Sequence, residues 1–452
     1  MKAYQTPMRV AIVGAGITGL TIARRLVRDG HQVAVFEKDQ LGGLAAGFPY
    51  PGCPGVYLDN FYHQIFTSDR HLISLIQAHG LGDDLMWNPS RSGLIARGRI
   101  WPFGSAWDLL RFAPLGSLRQ RLLMGWNLWS FKRTAGPERL HDVRCREFFA
   151  RRGNLAGYRN LWEPLLEQKF AEGADDTPAA FLWGRIHPRA KSREGGEECL
   201  GYLKGGFQRL FLRMADAIRQ AGGQVQIDHA VREIRPGRRP QVILDGGSGP
   251  QTFDRVVWTA SPDRLVRLVK DPPPEVVRKA ESVEYIAATQ LILIMTRRQT
   301  DYFWLNNIDP AITFGGLIEH TNTVPPEHYA GEHILYVINY HRPGDERFAG
   351  RSLDALLDYH TASLRRVLPN FRRDEILRAY CIRDDYSSPR YDLGYVRRIP
   401  PYQGWLPNVD LCSMCQVYPE DRNMGHGVDN ARRYLAECFA QTAETEPLQK
   451  AA

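Results

Sequence analysis

Nowhere in the 452 residues does an uninterrupted apolar run approach the ~20 residues of a membrane-spanning helix, so no transmembrane segment is expected. Seven cysteines, scattered from Cys53 to Cys438, are too few for a disulfide scaffold and point to a reducing cytoplasm. Cys412 and Cys415 form a single C-x-x-C with no second pair and no histidine at zinc-finger spacing. They are read as ordinary thiols, and no metal is expected. The chain has no internal repeat, no long low-complexity segment and no nucleic-acid module pattern. Its polar lead, Met1 to Pro7, lacks the apolar run and small-residue cleavage site of a secretory signal, which also favours a cytoplasmic location.

What is present is ordinary globular composition, 43% apolar and 24% charged, over a length that suits two or three domains. The formal charge is +8, but it is concentrated. Between Arg91 and Arg159 there are 14 Lys/Arg and 4 Asp/Glu, a net +10, which leaves −2 for the rest of the chain. Three readings fit this segment: a solvated helical surface, a site for an anionic substrate, or contact with an anionic membrane.

The N-terminal pattern carries chemistry. Arg9 to Val13 reads as a buried strand, Gly14-Ala15-Gly16-Ile17-Thr18-Gly19 follows it, and Leu20, Ala23, Leu26 and Val27 recur at helical spacing. Gln32 to Phe36 is a second strand that ends in Glu37-Lys38. In such a βαβ unit Gly14 allows the tight turn, Gly16 admits a pyrophosphate and Gly19 lets helix and strand pack closely. The helix N-terminus offers free N–H groups to the phosphates, and Glu37 stands where a carboxylate binds ribose hydroxyls. A dinucleotide is therefore expected at this end of the chain.

Further landmarks carry a family resemblance. Gly42-Gly43-Leu44-Ala45 follows Glu37 after four residues, and this run resembles the second FAD signature of glutathione-reductase-like flavoproteins. Asp59 to His63, Trp162 to Leu166, Gly201 to Gly206, Val257 to Pro262 and Val417 to Arg422 complete the set. With these motifs the whole chain resembles the FAD-dependent amine-oxidase-like superfamily. That group holds monoamine oxidases, protoporphyrinogen oxidases, phytoene desaturase-like enzymes and UDP-galactopyranose mutases. The match is nearest to a bacterial subgroup of NAD(P)/FAD-dependent oxidoreductases.

The resemblance implies an α/β fold. A Rossmann-type FAD-binding domain would be assembled from residues 1–75, 201–262 and 401–452. A substrate domain would combine a helical part, 76–200, with a mixed sheet, 263–400. It also implies that Val231 bonds adenine through its backbone, that Thr259 and Glu420 line the cofactor, and that Met424 and Val428 lie near the flavin ring. Ser413-Met414 stands where relatives carry Gly-Asp, so Met414 takes a cofactor position without a carboxylate.

For catalysis, Gln290 occupies the place where monoamine oxidase-like members carry a lysine beside flavin N5, and residues 285–296 contain no lysine. His63 sits in a segment resembling the one that lies against the flavin in the mutases, and a neutral imidazole there can act as a base. Arg97, Arg99 and Arg185 are candidates for an anionic substrate, with Tyr340 and Tyr386 on strands or loops of the substrate domain. Glu319-His320 and His341 are further candidates there. Leu118, Leu122, Trp126 and Trp129 share one helical face beside Arg119, Lys132 and Arg133. That face is either an internal cap or a peripheral membrane contact.

Two functions are expected from this reading. One is an oxidoreductase, monomer or homodimer, that takes a hydride from, or desaturates, a small anionic or lipophilic substrate. The other is a redox-neutral mutase acting on a nucleotide sugar.

Overall fold

The computed structural model describes residues 6–191, 193–194, 197–247 and 249–439. The tail after Thr442, expected from its sequence to fray, lies outside the described residues. A five-stranded parallel sheet holds strands Gln224–Gln226, Gln32–Phe36, Arg9–Val13, Arg255–Trp258 and Val409–Leu411, in that order. Its strands are short and β-branched; helices cover one face, and the three-stranded sheet of Val231–Arg235, Gln241–Leu244 and Gln251–Thr252 packs with the helix Pro262–Leu268 on the other, so the apolar runs are buried from both sides. One covering helix is α1 (Ile17–Arg28), which buries Leu20, Ala23, Leu26 and Val27 as its periodicity predicts.

A seven-stranded, largely antiparallel sheet forms the second layer system. Its order is Ile376–Pro389, Tyr285–Met295, His333–His341, Gly316–Glu319, Trp304–Asn307, Ser92–Ala96 and Arg99–Pro102. Tyr285–Met295 is buried along nearly its whole length because it is paired on both sides and covered on both faces. Leu291, Leu293 and Met295 pack toward the helix Leu353–Val367. Gln290, Ile292 and Ile294 face the other way, toward the half of the molecule built on the parallel sheet.

Residues 76–200 depart from their expected helical character at both ends, and the strand Glu197–Leu203 begins at the far one. Strands Leu85–Ser90, Ser92–Ala96 and Arg99–Pro102 open this stretch. Leu85–Ser90 pairs with Glu198 to Leu203 and Ser92–Ala96 with Trp304 to Asn307, both far along the chain, while Arg99–Pro102 folds back on Ser92–Ala96 through the turn at Arg97 and Gly98. Helices follow: α2 (Ala106–Arg111), α3 (Leu118–Arg133), α4 (Leu155–Phe170) and α5 (Ala179–Lys191). Arg185 belongs to α5. Both α2 and α3 start with a reciprocal capping box, Ser105 with Asp108 and Ser117 with Gln120.

The last helix, α6 (Met424–Cys438), starts at Asn423, whose side chain accepts the His426 N–H. Its first turn packs on α1, where a Cβ on Gly427 would crowd Ile17. Among the described residues, no helix is long and apolar enough to cross a membrane.

Helix α3 has two different sides. Phe131 is fully buried and stacks on Phe148 at 4.4 Å, whereas Trp129 is exposed. Phe131→Ala should therefore lower the unfolding free energy by ~3–5 kcal/mol. Trp129→Ala should change it by less than ~0.5 kcal/mol. Urea unfolding of the two variants checks the assignment of the faces.

Candidate functional site

The first part of the site is a glycine turn. Gly14 has φ +106°, and a Cβ there would collide with Thr259 Oγ1. That hydroxyl is fixed because it donates to Val13 O at 2.9 Å. A Cβ added at Gly16 would meet nothing nearer than Gly42 O at 3.8 Å, so the surface over this residue is open. Gly42 N–H donates to Ala15 O at 2.9 Å, which lays the Gly42-Gly43 turn alongside the first loop. Leu44 and Ala45 continue it as a single 3-10 turn.

Glu37 faces the same turn. One carboxylate oxygen accepts the Ala15 N–H at 2.8 Å and the other the Asp39 N–H at 3.1 Å. Its carbonyl accepts the His229 N–H, which brings Val231, two residues further on, to this end of the sheet. Lys38 is exposed. Thr18 donates to Gly427 O at 3.3 Å, and the Met414 sulfur lies 3.6 Å from where a Gly427 Cβ would be. Two helix N-termini, of α1 and α6, thus lie beside one glycine cradle. An open Gly16, backbone N–H groups and a carboxylate are the donors and acceptors that a dinucleotide uses.

The second part lies on one face of the seven-stranded sheet. Gln290 pairs with Ile338 across neighbouring strands, so Gln290, Tyr336 and Tyr340 share that face. These three side chains hold one segment. Tyr336 OH donates to Asp59 O at 3.0 Å, Gln290 Nε2 donates to Asn60 O at 2.8 Å, and the Tyr340 and Tyr62 hydroxyls are 3.4 Å apart. Gln290 is buried, and its Oε1 has no hydrogen-bond partner among the described residues.

His63 follows directly. Its Nδ1 is 2.7 Å from Phe61 O, and a carbonyl only accepts, so Nδ1 carries the proton and Nε2 carries a lone pair. Burial, assisted by Arg422, pushes this imidazole down to about 4, so it is neutral at pH 7.

The third part is an ionic cluster. Lys169 of α4 donates to both carboxylate oxygens of Asp421 at 2.7 Å, and Arg185 of α5 adds a bond at 3.1 Å. Burial alone would raise the Asp421 carboxyl, but Lys169 and Arg185 outweigh it and hold the group below its ordinary value. Burial lowers the Lys169 amine, with Asp421 opposing. Arg422 donates to Ser387 Oγ at 3.0 Å, and its buried Nε has no partner among the described residues. Lys169 lies 5.4 Å from the Tyr340 ring centre. Burial would raise the Tyr340 phenol, yet Arg422 and Lys169 bring it below its usual value. Three cations thus surround one carboxylate beside a tyrosine pair.

The remaining expected residues make other contacts. Arg97 and Arg99 are exposed at the turn joining the last two strands of the seven-stranded sheet, five strands away from Gln290. Tyr386 donates to Asp263 at 2.6 Å under the Arg264 guanidinium. Glu420 presents its carbonyl to Tyr391 OH at 3.3 Å. Glu319, His320 and His341 are buried in polar contacts of the sheet layer. Met424 and Val428 are buried on the first turns of α6, and Cys412 and Cys415 are buried behind them. Burial pushes the Cys415 thiol up to about 12.

Asn60, Tyr62, Lys169, Ser387, Asp421 and Arg422 carry no site role in the sequence reading. Lys169 did carry a signal, since it follows Leu165 and Leu166 at the helical spacing of the buried face.

A family model described as flavin containing amine oxidoreductase matches residues 17–408. The 15-cis-phytoene desaturase of Arabidopsis thaliana is 23% identical over 314 residues, 60% of this chain and 50% of that protein. A putative flavin-containing monoamine oxidase of Mycobacterium tuberculosis is 28% identical over 284 residues, 58% of this chain and 59% of that protein. The chain therefore spans little more than half the length of these relatives. Among solved structures, a putative protoporphyrinogen oxidase from Exiguobacterium superposes with a TM-score of 0.75 at 18% identity, covering 97% of this chain and 100% of that one. A reduced UDP-galactopyranose mutase reaches a TM-score of 0.75 at 14% identity, covering 98% of each chain. At these identities the structural likeness establishes the fold.

Asp421→Asn should leave Lys169 and Arg185 without their counter-charge and lower stability by ~3 kcal/mol near neutral pH. Because the Asp421 pKa is depressed in the folded state, its contribution is complete above the ordinary value of 3.8 and is lost as pH falls through the folded value. The gap between wild type and variant, read from chemical unfolding, should narrow as pH drops below 4.

Proposed function

The chain belongs to the flavin containing amine oxidoreductases, with FAD as its cofactor, and from that premise we propose that it oxidises a small organic substrate carrying an anionic group. The observation that carries this reading is the excess of positive charge at Lys169, Arg185 and Arg422 around the single carboxylate of Asp421. Desolvated cations of this kind bind carboxylate or phosphate oxygens with charge-assisted hydrogen bonds.

In this reading Gly14, Ala15, Gly16, Ile17, Thr18, Gly19, Gly42, Gly43, Leu44 and Ala45 form the cradle for the pyrophosphate side of FAD. Glu37 and Lys38 face the ribose, and Val231 faces the adenine. Thr259, Met414, Glu420, Met424 and Val428 surround the remainder. The fit rests on the open surface at Gly16, the adjoining helix N-termini and the unpaired Gln290 Oε1.

When bound, FAD supplies a two-electron acceptor for hydride abstraction or desaturation. The residues of the chain orient the substrate and handle its proton. Arg422, with Lys169 and Arg185 behind it, holds the anionic group. Neutral His63 presents Nε2 as a proton acceptor. Gln290, pinned through its amide nitrogen to Asn60, presents Oε1 as an acceptor to a donor group opposite it. Tyr340, with its phenol pKa lowered, can share a proton with Tyr62. Arg97, Arg99 and Tyr386 have no part in this arrangement.

The same cations suit the pyrophosphate of a nucleotide sugar, which keeps a redox-neutral mutase as the second reading. Anaerobic mixing of the yellow protein with small carboxylate- or phosphate-bearing alcohols and amines separates the two. Bleaching of the flavin absorbance without added reductant is the expected result. Turnover of UDP-sugars only after dithionite reduction would replace the first reading by the second.

Arg422→Met should raise KM for an anionic substrate about tenfold to a hundredfold while bound flavin stays stoichiometric. Gly14→Val should yield a colourless protein, because its side chain meets Thr259. Retained stoichiometric FAD in that variant would refute the assigned cradle.

A further inference from the structure

Helix α3 offers two apolar faces, and only one has a partner. Met124 and Phe131 are buried against the helical layer together with Asn127. On the opposite side Leu118 is 60% exposed, Leu122 55%, Trp126 58% and Trp129 44%. The spacing of these four, i, i+4, i+8 and i+11, places them in one stripe along about three turns. Trp107 on the adjoining α2 is 69% exposed. Five of the nine large exposed hydrophobic side chains among the described residues thus fall between positions 107 and 129, and the other four are dispersed. A clustered patch of this kind marks a contact surface.

The charges around the stripe decide what covers it. Arg119 borders it on one side and Lys132 on the other, both exposed, and Arg133 lies over the Trp129 ring at 4.6 Å. Trp126 and Trp129 are themselves stacked at 4.8 Å, so the two indoles present one rigid surface. From Ala106 to Thr134 the single acidic residue is Asp108. Its carboxylate is turned onto Gly104 and Ser105 at the start of α2.

A second copy meeting this stripe across a two-fold axis would set Arg119, Lys132 and Arg133 against cations of the same patch, with no carboxylate between them. An anionic lipid surface meets both needs. Its acyl boundary takes the leucines and the indole bodies, and its headgroups neutralise the flanking cations.

We propose that the Leu118, Leu122, Trp126 and Trp129 face of α3, with Trp107 and the rim of Arg119, Lys132 and Arg133, docks the protein in the plane of a bilayer rich in anionic lipid. This contact is independent of the redox reading, because no residue of the stripe belongs to the ionic cluster or the glycine cradle.

Co-sedimentation of the purified flavin-loaded protein tests it, with vesicles of phosphatidylcholine alone and of phosphatidylcholine mixed with phosphatidylglycerol. The expected result is pelleting with the mixed vesicles, a blue shift of tryptophan fluorescence, and weakening by added salt. The double variant Trp126→Ser/Trp129→Ser should bind about tenfold more weakly or less. The variant Arg119→Glu/Lys132→Glu/Arg133→Glu should lose the preference for phosphatidylglycerol. Both should keep the flavin spectrum and melting temperature of the wild type.

Failure of the wild type to pellet with the mixed vesicles overturns the proposal, as does equal pelleting of all three proteins. A wild-type dimer in light scattering that Trp126→Ser/Trp129→Ser converts to monomer overturns it too, and assigns the face to a second copy.

Discussion

The candidate site depends on one carboxylate. Asp421 binds Lys169 from α4 and Arg185 from α5, so the helical layer is tied to the loop that leads into α6. Burial opposes the ionisation of Asp421 and Lys169 alike, so neither would hold its charge as readily without the other. Their mutual attraction compensates, and the pairing becomes obligatory for both partners. The consequence reaches the nucleotide end. The first turn of α6 packs on that of α1 through Gly427 and Ile17. Asp421 lies three residues before that turn, so it sets the helical layer in register with the glycine cradle.

A second constraint comes from the seven-stranded sheet. Tyr336, Gln290 and Tyr340 alternate along adjoining strands and point to one face, where each contacts the segment from Asp59 to Tyr62. A sheet face is rigid on the scale of a side chain, because its register cannot slip by one residue without turning every group over. His63 inherits that rigidity, being one residue beyond the last contact. Its Nδ1 bond to Phe61 O then selects the tautomer. Position and protonation of this imidazole are therefore set by backbone carbonyls and burial, with no carboxylate partner required.

The parts differ in how far they could be read from residue order. The glycine turn was legible because its requirements are local: Gly14 needs positive φ, Gly19 needs a bare approach to the Gly14 carbonyl, and both follow a strand. The strand at 285–295 was legible as a strongly apolar run interrupted only at Thr289 and Gln290. The ionic cluster was not, because Lys169 and Asp421 are 252 positions apart and neither sits in a pattern that names its partner. The basic content of residues 91–159 drew attention to Arg97 and Arg99, yet the structure places them on a distant exposed turn. The cations that gather at the site, Lys169, Arg185 and Arg422, all lie outside that range. Charge counted along the chain and charge gathered in space are different quantities. Of the readings open for that segment, the structure leaves a basic, aromatic surface on α3 rather than a pocket.

The gathered charge also bears on substrate class within the family. A primary amine is a cation at neutral pH, and at this site it would approach Lys169, Arg185 and Arg422 with only Asp421 to offset them. That carboxylate is already engaged by Lys169 and Arg185, so little of its charge is left for an incoming ammonium group. An anion meets the reverse situation. The Arg422 Nε is unpartnered among the described residues, and the nearest phenol, Tyr340, has its pKa lowered by the same cations. An anionic substrate group would neutralise part of that field and move the Tyr340 pKa back up, so its proton would be held more firmly once the substrate is seated. Substrate binding and the protonation state of Tyr340 are therefore linked through electrostatics alone. Under the proposed reading the ionic cluster would act twice, as the anchor for an anionic substrate and as the control on the proton beside it.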